Sequence, residues 1–322
     1  MSVRSRLREE QAALKEEEWG FGNQNGNRGA RMIRLDGGFN VVRSGDHWLA
    51  FNPYHWFVRL SWSRFWVFLL AFYIVINLLF TLIYIALGTE HLTGDEAQFE
   101  YCASFLHAFF FSIQTFTTVG YGGVVPIGFA ANAVAGLEAL AGLLSAALMS
   151  SMFFARFSKA TVSIAHSENA LISPYEDATG LMFRIANRRN NNMSDVSVLI
   201  TMSHLEIDPK TGNERREFDR LELVTSSIKM FPLNWTLVHK IDETSLLFGK
   251  NAKDFEREDI ELLITVSGYD DTYAQQVHTR FSYRWDEILC GQKFLPMYNT
   301  GKDGITVLDL SRISKYHEVS II

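Results

Sequence analysis

The pattern of apolar and polar positions divides the chain into unequal stretches. Residues 1–45 are polar, residues 65–154 carry few charges, and from about Thr161 onward apolar and polar positions tend to alternate. The segment FWVFLLAFYIVINLLFTLIYIAL, Phe65 to Leu87, has no charge at all. At about 1.5 Å per residue it exceeds roughly 30 Å, enough to cross a bilayer with some tilt. A second span is predicted from Gly128 to Phe154, its helix continuing to residue 157; it is rich in Gly136, Ala139, Gly142, Ser145, Ala146, Ala147, Ser150 and Ser151. Small residues of this kind let membrane helices approach closely. Between the spans, YCASFLHAFFFSIQTF is apolar but too short to cross, and Gly-rich backbone follows it. That combination predicts a re-entrant helix over about Ala103 to Phe116.

Ahead of the first span, DHWLAFNPYHWFVRLSWSRF mixes aromatic residues with Arg59 and Arg64. A helical wheel puts Phe51, Tyr54, Val58, Trp62 and Phe65 on one side, which predicts an interfacial helix over residues 46–64. The flanks set the topology. Arg59 and Arg64 precede the first span and Arg156 and Lys159 follow the second, while the loop between holds Glu90, Asp95, Glu96 and Glu100 without Lys or Arg. The positive-inside rule then places both termini in the cytoplasm of a cell membrane.

In residues 159–322 helical periodicity is weak. DVSVLITMS puts Val196, Val198, Ile200 and Met202 on one face, IELLITVSGY and QQVHTRFSYRW are further strands, and DPKTGNE and SGYDD mark turns. A mostly antiparallel β sandwich is predicted. The whole reads as an α+β membrane protein.

Composition narrows the function classes. A net charge of −6 with no basic patch argues against a nucleic-acid partner. Cys102 and Cys290 fall in different segments, so no disulfide framework is expected, and the charged N-terminus has no apolar core of a signal peptide. The Gly/Asn-rich run GFGNQNGNRGA is expected to be flexible. Nothing points to an enzyme, an organic cofactor or a resident metal site.

The stretch TFTTVGYGGVVP, Thr115 to Pro126, carries the chemistry. Irregular backbone at membrane depth is tolerated only where it is buried in protein or lines a water-filled path. Extended backbone at Thr118, Val119, Gly120, Tyr121 and Gly122 can aim its carbonyls one way and replace the hydration shell of a potassium ion. That needs neighbouring residues of alternating hand, which Gly120 and Gly122 permit. One chain supplies one wall, so a homotetramer is expected. The preceding short helix would point the negative end of its dipole at the cation. Two other readings are open: a membrane-anchored β-sandwich binding module, which leaves this motif unexplained, and a potassium channel gated by a nucleotide- or calcium-binding domain, whose GxGxxG pattern is absent.

FFFSIQTFTTVGYGGVVPIG, LEALAG and ARFSK resemble the prokaryotic inward-rectifier potassium channels, the KirBac group, and LNWTLVHKIDETSLLFG and RFSYRWDEILCGQKF resemble that family's cytoplasmic domain. The resemblance implies an amphipathic slide helix, two spans, a pore helix and an immunoglobulin-like β sandwich that extends the pore. Several residues then gain expected roles. Glu138 is the one acid in the second span, where a carboxylate costs about 3 kcal/mol; it is expected behind the filter beside Gln114 and Thr117, as filter support. Ala146, Ser150 and Phe154 are four apart and share a stripe, with Phe154 as a hydrophobic gate and Gly142 as a bending or close-packing point. Phe153 competes for the gate. The family's acidic blocker-binding positions fall on Ala146 (or Ser145), Met193 and Ser267, all uncharged, so weak rectification is expected. Arg59, Arg64, Arg156 and Lys159 are expected to meet anionic phospholipid headgroups.

Overall fold

The computed structural model describes residues 29–41, 45, 53–88, 91–93, 103–160, 163–189, 191–207, 212, 214–300, 303 and 305–320. They fall into two units, one of residues 44–159 and one of residues 1–43 with 160–322.

The first unit is helical. Helix α1 (Pro53–Arg59) is followed by α2 (Trp62–Leu87), α3 (Ala103–Phe116) and α4 (Gly128–Phe157). Helices α2 and α4 are long and apolar enough to cross a membrane. The interfacial helix differs from the expectation. It stops at Arg59, and Ser61, in extended backbone (φ −62°, ψ 153°), begins α2. The Ser61 hydroxyl makes no cap bond to the helix, and its extended backbone separates the two helices. Trp62, Arg64 and Phe65 therefore stand in the first turn of the outer helix, three residues earlier than its apolar run suggested. Residues 46–52 lie outside the described residues. Two short strands, β1 (Leu92–Thr93) and β2 (Val125–Pro126), pair antiparallel and tie the chain leaving α2 to the chain leaving the Gly-rich stretch.

The second unit is a β sandwich. One sheet is built from β6 (Met193–Ile207), β7 (Glu214–Leu221), β8 (Ser227–Met230), β10 (Glu261–Asp270) and β11 (Gln275–Arg284), in the order β11-β10-β6-β7 with β8 also on β6. The other has β12 (Ile288–Cys290), β4 (Ala170–Tyr175), β5 (Ala178–Asn187) and β3 (Ile164–His166) in that order, with β9 (Asn234–Ile241) also on β5. Val196, Val198, Ile200 and Met202 are all buried between the sheets, opposite Leu181, Phe183, Ile185 and Leu237. Alternation with period two puts one face of each strand in the core, where each such side chain contributes about 1.5–3 kcal/mol. SGY belongs to strand β10, which irregularly pairs with β6 between Ser267 and Tyr269; the hairpin turn occupies residues 271–274.

Residues 29–41 were read as part of a polar segment, yet they are fastened to this domain. The amides of Met32 and Ile33 donate to the buried Glu261 carboxylate, at 2.9 and 3.4 Å, and Ile33 itself is 2% exposed. Arg31 donates to the Ser282 carbonyl at 2.7 Å and pairs with Glu287 at 2.5 Å. The rest of the Gly/Asn-rich run, residues 20–28, lies outside the described residues.

Candidate ion-conduction pore

Helix α3 ends at Phe116, and the chain then departs from regular structure. The amide of Thr117 donates to Ile113 O at 3.0 Å, that of Thr118 to Thr115 O at 3.0 Å, and those of Val119 and Gly120 both reach Gln114 O, at 2.9 and 3.2 Å. The Thr117 hydroxyl donates to Ile113 O at 2.7 Å. These bonds fasten the start of the stretch to the last turn of α3. Beyond them the backbone alternates in hand: φ is +60° at Thr118, +55° at Gly120 and +80° at Gly122. A Cβ at Gly120 or Gly122 would meet nothing within 4 Å in this chain, so conformation, not space, calls for glycine there. Thr118 adopts the left-handed region without that freedom. Among the described residues, no donor reaches the carbonyls of Thr118, Val119, Gly120 or Tyr121. Unpaired carbonyls in an apolar setting cost several kcal/mol each unless something else coordinates them.

Behind this stretch lies a buried polar cluster. Glu138 is 0% exposed. It accepts from the Ser112 hydroxyl at 2.5 Å and from the Tyr84 hydroxyl at 2.7 Å, one donor for each carboxylate oxygen. Ser112 also lies 3.1 Å from Asn77 Oδ1, and the Asn77 amide donates to Tyr73 O at 2.7 Å. Glu138 therefore joins α2, α3 and α4, and on α3 it bonds Ser112, two residues from the Gln114 near which the sequence reading placed it. The physical reason is helical phase: on α3, position 112 faces α2 and α4, whereas the Gln114 backbone carbonyl is taken up by the amides that follow the helix. Gly142, one turn further along α4, packs against the end of α3. A Cβ there would sit 1.9 Å from the Phe116 carbonyl oxygen, so close approach is its observed role.

At the other end of α4 the aromatics take different sides. Phe153 packs edge-on against Phe65 at 5.1 Å and against Trp66 at 5.3 Å. Phe154 is 74% exposed in the single chain. Ser150 and Ala146 are exposed on the same stripe, and the Ser150 hydroxyl donates back to Ala146 O at 2.9 Å. Of the four expected headgroup cations, Arg64 and Lys159 are exposed, and the Arg59 side chain lies outside the described residues. Arg156 is engaged within the chain: its guanidinium donates to Phe57 O at 2.6 Å and Leu60 O at 2.8 Å.

In the β domain, Met193 is a core residue, 5% exposed, and Ser267 shares a 2.8 Å hydrogen bond with Ser197. The exposed acid of this strand start is Asp195, which the sequence reading passed over; it bonds Lys229 at 2.6 Å. Its signal was its place in the polar phase of DVSVLITMS, opposite the four buried residues.

Two spans, a re-entrant helix and a stretch of unpaired carbonyls define a membrane pore protein of the ion-channel class, and the comparisons with known proteins agree. The family model described as "Ion channel" matches residues 68–159, and that described as "Inward rectifier potassium channel C-terminal domain" matches residues 164–322. Kirbac3.1, an inward rectifier potassium channel of Paramagnetospirillum magnetotacticum, is 36% identical over 91% of this chain and 97% of its own. Human inward rectifier potassium channel 4 is 29% identical over 67% of this chain and 50% of its own, and chicken ATP-sensitive inward rectifier potassium channel 12 is 28% identical over 79% and 62%. The chain belongs to the inward rectifier potassium channel family. It is an ion channel and not an enzyme, and potassium is its transported ion.

Proposed function

We propose that four copies of this chain surround one axis and that the carbonyls of Thr118, Val119, Gly120 and Tyr121 form the potassium sites, with Gly122 closing the alternation. The observation that carries this is the alternating hand at Thr118, Gly120 and Gly122 beside carbonyls without donors. Such backbone is tolerable at membrane depth where it lines a water-filled path, and there a cation can take the place of the missing partners. Thr117, through Ile113, and Glu138, through Ser112, hold the preceding helix and so support the filter; Gln114 does so with its backbone carbonyl. Replacing Gly120 by Ala tests the reading, since a methyl group at φ +55° disfavours the conducting geometry. Potassium flux in liposomes should fall and the preference over sodium weaken.

The gate is assigned to a ring of four Phe154 side chains: Phe154 is exposed in the single chain, whereas Phe153 packs on Phe65 and Trp66. Both termini face the cytoplasm of the cell (inner) membrane, as the Arg and Lys flanks require. Arg59, Arg64 and Lys159 meet anionic phospholipids, each worth about 1 kcal/mol. Rectification by internal blockers is weak: Ala146, Ser145 and Ser267 are uncharged, and the exposed Asp195 is matched by Lys229. Steep spermine block at micromolar levels would count against this.

A further inference from the structure

The outer helix turns a polar stripe inward. Asn77, Thr81 and Tyr84, spaced by four and three, share one side of α2, and none is more than 1% exposed. The Tyr84 hydroxyl bonds Glu138, and the Thr81 hydroxyl donates to Asn77 O at 2.6 Å within its own helix. Asn77 reaches further. A buried carboxamide is costly in a membrane span unless its polar atoms are matched. Its Nδ2 donates to Tyr73 O at 2.7 Å, one turn back. That bond fixes which way the amide points and leaves Oδ1 facing α3, where the Ser112 hydroxyl lies at 3.1 Å. The same hydroxyl donates to Glu138 Oε1 at 2.5 Å, so its single hydrogen is held between an acceptor on α2 and one on α4. Ser112 is itself fully buried. The three carbonyls that follow it on α3 are the ones that fasten the filter: Ile113 O takes the amide of Thr117, Gln114 O those of Val119 and Gly120, and Thr115 O that of Thr118.

We propose that Asn77 is a positioning residue for ion selectivity: holding Ser112 from the outer-helix side, it fixes the turn of α3 whose carbonyls anchor Thr117 to Gly120. Glu138 alone would hold Ser112 from one side and leave α3 free to turn about that bond. A second acceptor on a different helix removes the freedom. Tyr73, whose carbonyl takes the Asn77 amide, also meets the Phe116 ring edge-on at 6.1 Å, so the same part of α2 touches α3 at its last residue. An apolar side chain would suit a membrane helix at position 77; the carboxamide is explained by the acceptor it offers. This role rests on the reading of Thr118 to Tyr121 as the potassium sites.

The test is the potassium-to-sodium permeability ratio of the reconstituted full-length channel, taken from reversal potentials in planar bilayers. Asn77→Thr isolates the contact: a helical threonine returns its hydroxyl to the carbonyl one turn back, here Tyr73 O, and does not reach α3. Asn77→Leu removes both bonds at similar size. Each should lower the ratio about threefold or more, the factor of one average interhelical hydrogen bond in a membrane. Ser112→Ala should lower it at least as far, and adding Asn77→Thr to it should change nothing further, because the two share one contact. Thr81→Val removes a neighbouring buried bond without touching α3, and should keep the parent ratio even if its thermal midpoint falls. A parent-like ratio in Asn77→Thr, a further fall in the double variant, or an equal fall in Thr81→Val would each overturn the assignment. Asn77→Thr also covers the case in which Asn77→Leu fails to assemble. A parent channel without preference would remove the filter reading and this role together, whereas a selective parent with an unaltered Asn77→Thr would remove this role alone.

Discussion

Gly142 and Phe116 approach so closely that a methyl group on the glycine would lie 1.9 Å from the phenylalanine's carbonyl oxygen. The contact is backbone against backbone, where no flexible side chain can yield. It brings the inner helix directly beneath the end of the helix that presents the filter. Gly142→Ala should therefore push α3 and α4 apart, at a cost at or above the usual 1–3 kcal/mol of overpacking. The expected outcome is reduced tetramer yield and lower potassium flux, read by size-exclusion chromatography and a liposome assay. A Gly142→Ala channel with normal assembly and flux would show that the approach is dispensable.

The Glu138 cluster makes a prediction of graded form. Glu138→Ala leaves the Tyr84 hydroxyl buried without its acceptor, at about 1–3 kcal/mol, and leaves Ser112 only its longer contacts to Asn77. Glu138→Gln keeps one carbonyl oxygen and should cost less. Thermal stability of the detergent-solubilised channel should fall in the order parent, Gln, Ala, with potassium selectivity declining in the same order. Ser112→Ala should soften the effect of Glu138→Ala, because the two share one bond and are not additive. Equal stability of all these forms would remove Glu138 from filter support.

Acid should weaken the β domain. His166, stacked on Phe281 at 4.1 Å, and His204 and His239 all have pKa values lowered from 6.5, in each case chiefly by burial. Asp219 beside His204, and the Ser167 and Glu222 carbonyls beside His166 and His239, oppose the shift without reversing it. A lowered histidine binds its proton more readily in the unfolded chain. Its contribution to stability is thus complete above about pH 6.5 and is lost as pH falls toward the lowered value. Near-UV circular dichroism of thermal unfolding should show a falling midpoint between pH 7 and pH 5. His239→Asn, which keeps polar contacts to Glu222 O and Ser245 without titrating, should flatten that slope.

The sequence made the outline of both units legible because those signals are local. Span length, the short apolar run before the filter, and the alternation of Val196 to Met202 each depend on neighbours along the chain. What escaped depends on partners far away. Arg156 finds carbonyls almost a hundred residues earlier, and Met32 and Ile33 find Glu261 nearly 230 residues later. No periodicity encodes such pairs. Glu138 was recognised as costly and placed near Gln114, but its partners Ser112 and Tyr84 were not named, since the phase of α3 against two neighbouring helices is set by packing. Met193 was misassigned for a related reason: strand β6 has Met193 and Val196 buried with Asp195 exposed between them, out of strict alternation at its first residues.

The central claim is that unpaired carbonyls from Thr118 to Tyr121 select potassium. It is tested most directly by the reversal potential of the purified channel in a planar bilayer, with potassium chloride on one side and sodium chloride on the other. The account predicts a reversal potential far from zero, on the side set by potassium, in the parent and a shift toward zero in Gly120→Ala. A parent channel that reverses near zero under these conditions would contradict it.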